Sequence, residues 1–434
     1  MQRRFIFVFL FCSSLLFSQT RHITLENALS LALESNISLQ REKISLEGAE
    51  RASKHSWNAI FPSISAVVSD EITLSPSDAE EKNVFSVAGK AEMSISASYF
   101  ASMKKTRLDY EASRISFDEA VSEVLSKVKE MYFTLLYEEQ NLSYLRDNLE
   151  AARLQSALNA EKYRKGTLSE LEYLSSKVSC ESLKSELRAQ EVSHKNNLSS
   201  FALFLGLPFE AEVDSISLEG NLEDFIKDYA SFFSDEMKAL IEKDVKDANV
   251  PSLLFVKKQL ESAKKDVSVS RLSAFGPTVT LGASLSPVFS GADSGKIKSG
   301  ATASISLPLD SYFGFSKGAD SVRSAKDSVR SLELQLLEKS RAACSEYSMI
   351  SGSILQKEES VSFLKDYALL AQKNYDVARF AYSKGVMEFL SLQNAAKENL
   401  SAKLKLQNEF LEYLKLYVSL EKLCGRKCPA VFEK

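Results

Sequence analysis

The chain switches between two hydrophobic periods. From Phe117 the apolar positions continue at Val121, Val124, Val128, Met131, Leu135, Leu142, Leu145, Leu149 and Ala152. One heptad register carries them all, with Glu138 the position out of place. Such a seam predicts a long helix with left-handed supercoiling. Extended from about Met103 to Tyr163 it would run roughly 90 Å at 1.5 Å per residue, and a rod of that length buries its stripe only against partner helices. Just upstream the period drops to two. Val87, Gly89, Ala91, Met93, Ile95, Ala97 and Tyr99 share one parity, and Ser86, Lys90, Glu92, Ser94, Ser96 and Ser98 take the other. This predicts a strand with one apolar and one polar face. The same alternation returns at Val279, Leu281, Ala283 and Leu285, then at Ala301, Ala303, Ile305 and Leu307, with Ile64, Ala66 and Val68 as a weaker fourth strand. Two strand hairpins follow, at 61–100 and 275–310, with polar loops over Asp70–Asn83 and Pro287–Lys298.

The pattern occurs twice at an offset of 219 residues. Ser143-Tyr144-Leu145-Arg146-Asp147 becomes Ser362-Phe363-Leu364-Lys365-Asp366, Tyr163-Arg164-Lys165-Gly166 becomes Tyr382-Ser383-Lys384-Gly385, and Phe204-Leu205-Gly206 becomes Leu423-Cys424-Gly425. A period of half the chain is too long for a solenoid and fits a duplicated unit. Proline marks the same division: none lies between Pro76 and Pro208, nor between Pro308 and Pro429, so two long stretches lack the strongest helix breaker. The expected organisation is a first repeat over 19–218, with a helical hairpin at 103–206, and a second over 219–434, with a helical hairpin at 315–425. Each opens on an amphipathic helix, from Ile23 through Trp57 to Phe61-Pro62 and over Ser252–Ser273. Pro208 to Val250 reads as an acidic, irregular connector at mid-rod height, with Phe225, Tyr229, Phe232 and Phe233 available to pack on the rods.

Composition narrows the setting. Arg3 and Arg4, an apolar run from Phe5 to Phe17 and Ser18-Gln19 have the layout of a secretory signal over residues 1–18. Its removal takes the formal charge from −4 to −6, which gives no electrostatic reason to expect nucleic acid. No second long apolar run exists, so a membrane span would be made of strands. Cys12 raises a lipid-attachment reading, which bulky Phe11 opposes. Cys424 and Cys428 could form a small terminal disulfide in an oxidising compartment or remain free thiols. His22, His55 and His194 are far apart, and there is no phosphate loop or nucleophile motif. Neither catalytic, metal nor cofactor residues are expected.

Strands of about ten residues with dyad alternation in an exported chain match what an outer-membrane barrel requires. Four strands cannot close a conducting barrel, so that reading demands several copies. Helix, strand hairpin and long helical hairpin, repeated behind a signal, resembles the TolC-like outer-membrane efflux protein family. The residues carrying the resemblance are Leu25-Glu26-Asn27-Ala28-Leu29 with Ala32-Leu33-Glu34-Ser35-Asn36, Phe61-Pro62-Ser63, Tyr163-x-x-Gly166-Thr167-Leu168-Ser169-x-Leu171-x-x-Leu174, and Leu203-x-Leu205-Gly206-Leu207-Pro208. The second copy keeps Tyr382, Gly385 and Leu390 of the third block, and Leu420 and Gly425 of the fourth.

The resemblance implies a mainly α fold with a β-barrel part. Three chains would pool their hairpins into one twelve-stranded outer-membrane barrel and continue as a helical tunnel in the periplasm. It implies an exit duct of an efflux pump or type I secretion system, working with a periplasmic adaptor and an inner-membrane transporter and surrounded by outer-membrane lipid. It places Tyr163, Gly166, Thr167, Leu168, Tyr382, Gly385 and Val386 at the adaptor-docking tips. Family members carry gate aspartates six and nine residues after the second-copy glycine; here those positions are Ser391 and Asn394, with Glu172 and Glu388 the nearby acids that could charge the constriction. The rival reading is an exported, non-conducting coiled-coil structural or adhesion protein. It accounts for the heptads and the signal and leaves the strand hairpins without a purpose.

Overall fold

The computed structural model describes residues 21–73, 82–207, 216–287 and 295–426. The expected signal, Cys12, Cys428 and most of both strand-hairpin loops lie outside the described residues. Two helices of nearly equal length dominate, α3 (Ala97–Arg164) and α8 (Lys317–Ser383), and each turns back through a shorter partner, α4 (Glu170–Phe204) and α9 (Phe389–Cys424). The predicted seam lies inside: Val124, Val128, Leu135, Leu142, Leu145 and Leu149 of α3 are buried. Glu138 is accommodated by α4, where Asn197 Nδ2 donates to its carboxylate at 2.5 Å and His194 Nδ1 lies 3.1 Å away.

The opening helix of the chain differs from its expectation. A short strand β1 (Arg21–Ile23) is followed by α1 (Leu25–Ser35) and a separate α2 (Ile37–Lys54), broken at Asn36. The break has a use, because Asn36 Oδ1 accepts from Leu39 N–H at 3.1 Å, capping α2, while its Nδ2 donates to Phe204 O at 2.8 Å at the end of α4. The connector also differs. It contains β4 (Ile216–Leu218), α5 (Leu222–Phe232) and α6 (Asp235–Lys246), and β4 pairs in parallel with β1. Leu222, Ile226, Tyr229 and Phe233 turn one apolar stripe onto the rods. Tyr132 of α3 holds this layer, its hydroxyl 2.6 Å from Glu219 O and 3.0 Å from Ile23 O. After the connector, α7 (Pro251–Phe275) leads to the second strand hairpin.

Lateral contacts set the helices side by side. Along α3, Asp109 bonds Ser262 of α7, Lys129 meets Glu421 of α9, and Tyr144 takes a 3.4 Å bond from Gln407 of α9. Opposite them α3 carries α2 and then α4, tied by Arg146 to Glu191 at 3.0 Å. The far rod, α8, runs beside α7 and then α9, where Lys357 pairs with Glu409 at 3.0 Å. Two of the four rods are therefore composite: α4 continues into α2, and α9 into α7. At both joints the chain ends in a left-handed glycine pressed onto the next helix. A Cβ on Gly206 (φ 80°) would lie 2.3 Å from Ser35 O, and one on Gly425 (φ 66°) 2.5 Å from Pro251 Cγ. These are the residues of the third repeated block, so the offset of 219 marks two equivalent helix joints.

The strands form one antiparallel sheet in the order β2 (Ser63–Thr73), β3 (Lys82–Ser96), β5 (Thr278–Pro287), β6 (Ile297–Ser306). The strand ends extend further than the loop assignment over Asp70–Asn83 allowed, since residues 70–73 and 82–83 are paired. Register keeps the two parities on separate faces across all four strands. Val68 faces Val87, Ala91 faces Ala283, Leu281 faces Ala303 and Val279 faces Ile305, while Lys90 faces Ser65 and Ser284, and Thr280 faces Ser94 and Ser304. The result is a sheet with one apolar and one polar side and two open edges, β2 and β6.

Candidate functional site

Both helical hairpins reverse through the same turn. Gly166 N–H donates to Tyr163 O at 2.9 Å and Thr167 N–H to Lys162 O at 3.0 Å; Gly385 N–H donates to Tyr382 O and Val386 N–H to Ala381 O, each at 3.0 Å. This bonding pattern closes a helix through a left-handed residue, and Gly166 (φ 74°) and Gly385 (φ 76°) supply it. A Cβ on either would meet nothing within 4 Å, so these glycines serve backbone conformation and not packing. Thr167 Oγ1 adds a bond to Lys162 O at 3.0 Å.

The tips then diverge. In the first, Ser169 caps α4 and Glu172 reaches back to it, forming a capping box. Glu172 is thus engaged at its own helix end. Tyr163 stacks on Tyr173 with ring centroids 5.2 Å apart, and Leu168 is half-buried. In the second tip Glu388 occupies the N-cap of α9 with no side-chain cap bond, Val386 is exposed, and Phe389 turns its ring edge to Tyr382. Although Tyr163 and Tyr382 are equivalent in sequence, Tyr382 is buried, and its hydroxyl donates to Asn159 Oδ1 of α3 at 2.7 Å. Gln155 donates to the same oxygen at 2.9 Å, and Lys162 Nζ stands 4.8 Å above the Tyr382 ring. Burial, and then the nearby Glu172 carboxylate, raise the Tyr382 pKa, so the phenol stays a proton donor at neutral pH.

The tyrosine therefore ties the second hairpin to the first. Asn159, Gln155 and Lys162 were not singled out in the sequence, although Asn159 continues the three-and-four seam beyond Ala152 and so puts an amide where the register demands an apolar side chain. A groove of about 1500 Å³ runs between the hairpins, lined from all four helices by residues such as Leu158, Lys162, Val178, Arg379, Tyr382 and Leu400. Ser391 and Asn394 do not line it. Both are exposed on another face of α9, away from buried Leu392, Ala395 and Asn399 that pack toward α8. Tip residues and gate candidates thus lie at the same end of the molecule, and Glu172, held in its capping box, is close enough to Tyr382 for its charge to act on the phenol.

Residues 28–206 match the outer membrane efflux protein family. That segment covers most of the first repeat of the chain. Solved structures extend the likeness to the second half. The outer membrane protein VceC of Vibrio cholerae aligns with a TM-score of 0.74 at 16% identity, covering 92% of this chain and 96% of that one. The Campylobacter jejuni CmeC outer membrane channel gives 0.76 at 18%, with 92% and 85% covered. The open state of the Neisseria gonorrhoeae MtrE outer membrane channel gives 0.71 at 17%, with 92% and 88% covered. Among curated proteins none matches by sequence. The fold of these channels thus spans both repeats of the chain, including the second, where the repeated sequence blocks have faded to a few residues.

No described helix is long and apolar enough to cross a membrane, and the two-faced sheet is the one described element whose pattern suits a bilayer. The three described cysteines, Cys180, Cys344 and Cys424, are unpaired. Burial pushes the Cys424 thiol up to about 11, which keeps it protonated and slow to exchange.

Proposed function

We propose that three copies of this chain form the outer-membrane exit duct of a tripartite efflux pump or type I secretion system. The duct conducts substrates passively from an inner-membrane transporter and a periplasmic adaptor to the exterior. The observation that carries this reading is the sheet. Its apolar face is broken in the register by Ser299 on β6 and, toward the distal end, by Asp70 and Asn83, its polar face carries Ser, Thr, Lys and Glu, and every neighbouring pair is antiparallel. Edges β2 and β6 run in opposite directions, so β6 of one copy can pair with β2 of the next and the sheet closes with no edge left. Twelve strands result from three copies, polar side inward. The rods support the same arithmetic, because the outer rods of the four-rod layer expose apolar side chains that invite a neighbour, Ile44 and Val192 on one flank and Leu334, Phe363 and Phe380 on the other.

Detergent extraction of outer membranes tests it. A band at trimer mass that collapses to the monomer on heating is expected, whereas release as a soluble monomer or dimer by osmotic shock would favour the non-conducting coiled-coil protein. At the tips, Tyr163, Gly166, Thr167, Leu168, Gly385 and Val386 form the adaptor-docking surface, and buried Tyr382 supports it from beneath. A photoreactive residue at Thr167 or Val386 should capture an adaptor protein in the native host.

The constriction is neutral in this reading. Three copies of Ser391 and Asn394 face the axis as a hydrogen-bonding ring, with Glu388 at its rim. Introducing carboxylates there would bring like charges together and raise their pKa values. Ser391→Asp and Asn394→Asp trimers should therefore gain cation block and pH-dependent conductance in single-channel recordings. Unchanged conductance and block in both would count against the assignment. Tyr382→Phe removes the bond to Asn159, whose buried Oδ1 then keeps only the bond from Gln155. A higher open probability is expected, and an unaltered one would mean that this tie between the hairpins does not hold the tip closed.

A further inference from the structure

Aromatic side chains gather at the helix-side end of every strand of the sheet. Ser96, Thr278 and Ser306 share the last row of the register there. Phe100 on α3 lies just past Ser96, Phe275 at the end of α7 lies just before Thr278, and Tyr312, Phe313 and Phe315 lie past Ser306. Trp57 and Phe61 precede Ser63, the first residue of β2. All of these but Phe275 are exposed. The two repeats differ at this level. In the first, Ser96 ends β3 and caps α3 at once, whereas a whole segment, 307–316, separates β6 from α8. That segment is held in place: Phe313 N–H donates to Asp310 O at 3.0 Å, Ser316 N–H to Phe313 O at 2.9 Å, and Ser311 is buried against Gly318 of α8. Tyr312 turns its ring against Phe275, and Phe313 stacks on Phe315 with centroids 5.8 Å apart. Small Ser311 is thus packed inside while Leu307, Leu309, Tyr312, Phe313 and Phe315 face out, Phe315 to 90%. An outward apolar patch on a fixed segment, rimmed by exposed Asp310, Lys317, Asp320 and Arg323, marks a contact surface.

We propose that this collar seats in the headgroup region of the inner leaflet of the outer membrane, with 307–316 as its main anchor, and sets the depth of the sheet in the bilayer. This rests on the channel reading, in which the apolar face of the sheet meets lipid. Two observations favour phospholipid over a neighbouring chain as the partner. A chain-to-chain contact would gather at the edge strands, but Phe100 follows interior β3 and Tyr312 packs at the root of interior β5. The alternation of Ala303 and Ile305 also runs on through Leu307 and Leu309, which carries the apolar row of β6 into the anchor. Aromatic rings with a polar edge or hydroxyl suit the level where acyl chains meet headgroups.

Trp57 is the chain's one tryptophan, so the unaltered protein reports on the collar by its own fluorescence. Purified trimers are placed in phospholipid vesicles brominated either near the headgroups or near the chain ends, and iodide is added as a quencher confined to water. Trp57 should be quenched roughly twofold more by the shallow bromines than by the deep ones. Phe315→Trp in a Trp57→Phe chain should behave the same way. In that background Ala303→Trp reads the apolar face of the sheet and should respond to brominated lipid. Quenching of Trp57 or Phe315→Trp by iodide alone, by neither agent, or more by deep bromines overturns the collar while a lipid-quenched Ala303→Trp upholds the channel reading; the silent case would mean that a neighbouring chain covers the rings. An Ala303→Trp that no brominated lipid quenches overturns the lipid-facing sheet, and the collar with it.

Discussion

Gly206→Ala and Gly425→Ala should each cost far more stability than the same substitution at Gly166 or Gly385. All four glycines have φ between 66° and 80°, so an added Cβ carries the same left-handed penalty of about 1–2 kcal/mol at every one. What separates them is their surroundings. At the tips the new methyl enters open space, while at the joints it would lie 2.3 Å from Ser35 O or 2.5 Å from Pro251 Cγ. Ser35 O is backbone at the end of α1, next to the Asn36 cap that bonds Phe204 O, and it cannot retreat without pulling α2 off α4. Overpacking adds to the conformational term and brings the joint variants to about 3–5 kcal/mol. Expected results are a lowered temperature of trimer dissociation and reduced outer-membrane yield for the joint variants, with the tip variants close to wild type. Equal losses at all four positions would mean that the composite rods are not held by close approach at their joints.

The second large effect centres on the buried ion pair between the repeats. Lys129 of α3 and Glu421 of α9 have side chains 2% and 8% exposed, and Lys129 Nζ lies 2.7 and 2.6 Å from the two carboxylate oxygens. Tyr229 of α5 donates to Glu421 Oε2 at 3.1 Å, so one cluster joins both repeats and the connector. Lys129→Met would leave the carboxylate buried without its cation, at a cost of about 3–5 kcal/mol. Lys129→Met with Glu421→Leu removes both charges and should recover most of that loss, because desolvation of the pair offsets much of its attraction. A cycle of the two single variants and the double one, read by the midpoint of thermal trimer dissociation, isolates the coupling. Additive losses would contradict the pairing. At offset 219 the equivalent positions are Ser348 and Ala202, so this ionic tie belongs to only one of the two kinds of contact between repeats.

Much of the architecture is legible in the residues because each long element has one unbroken period. The α3 seam and the two parities of β3 and β5 run through consecutive buried or paired positions, so the pattern survives single exceptions such as Glu138. Repetition of Gly206 as Gly425 shows that two places share a need, but not that the need is contact with Ser35 and Pro251, which lie 171 and 174 residues away in sequence. The break at Asn36 is hidden for the same reason, since its purpose is set by Phe204. The connector was legible in part. Leu222, Ile226, Tyr229 and Phe233 have helical spacing, but the surrounding acids and short lengths hide two helices of 11 and 12 residues.

The candidate site shows a different limit. Ser169-x-x-Glu172 is a capping box that sequence alone can reveal, yet its position six residues after Gly166 also suits a gate acid, and only the structure shows which partner the carboxylate takes. The inequality of Tyr163 and Tyr382 is likewise invisible in the motif they share. It arises because α3 offers Asn159 to one of them, and that pairing depends on how the two hairpins lie together.

Closure of the sheet by three copies is the claim on which the rest depends, and disulfide trapping across the open edges reaches it most directly. Chains free of native cysteines would carry Ser65→Cys on β2, combined in turn with Thr302→Cys or Ser304→Cys on β6, and be oxidised in intact outer membranes. A closed ring predicts covalent dimers and trimers with the ladder ending at three. A ladder running past three, or no cross-link from any pair in correctly localised protein, would contradict it.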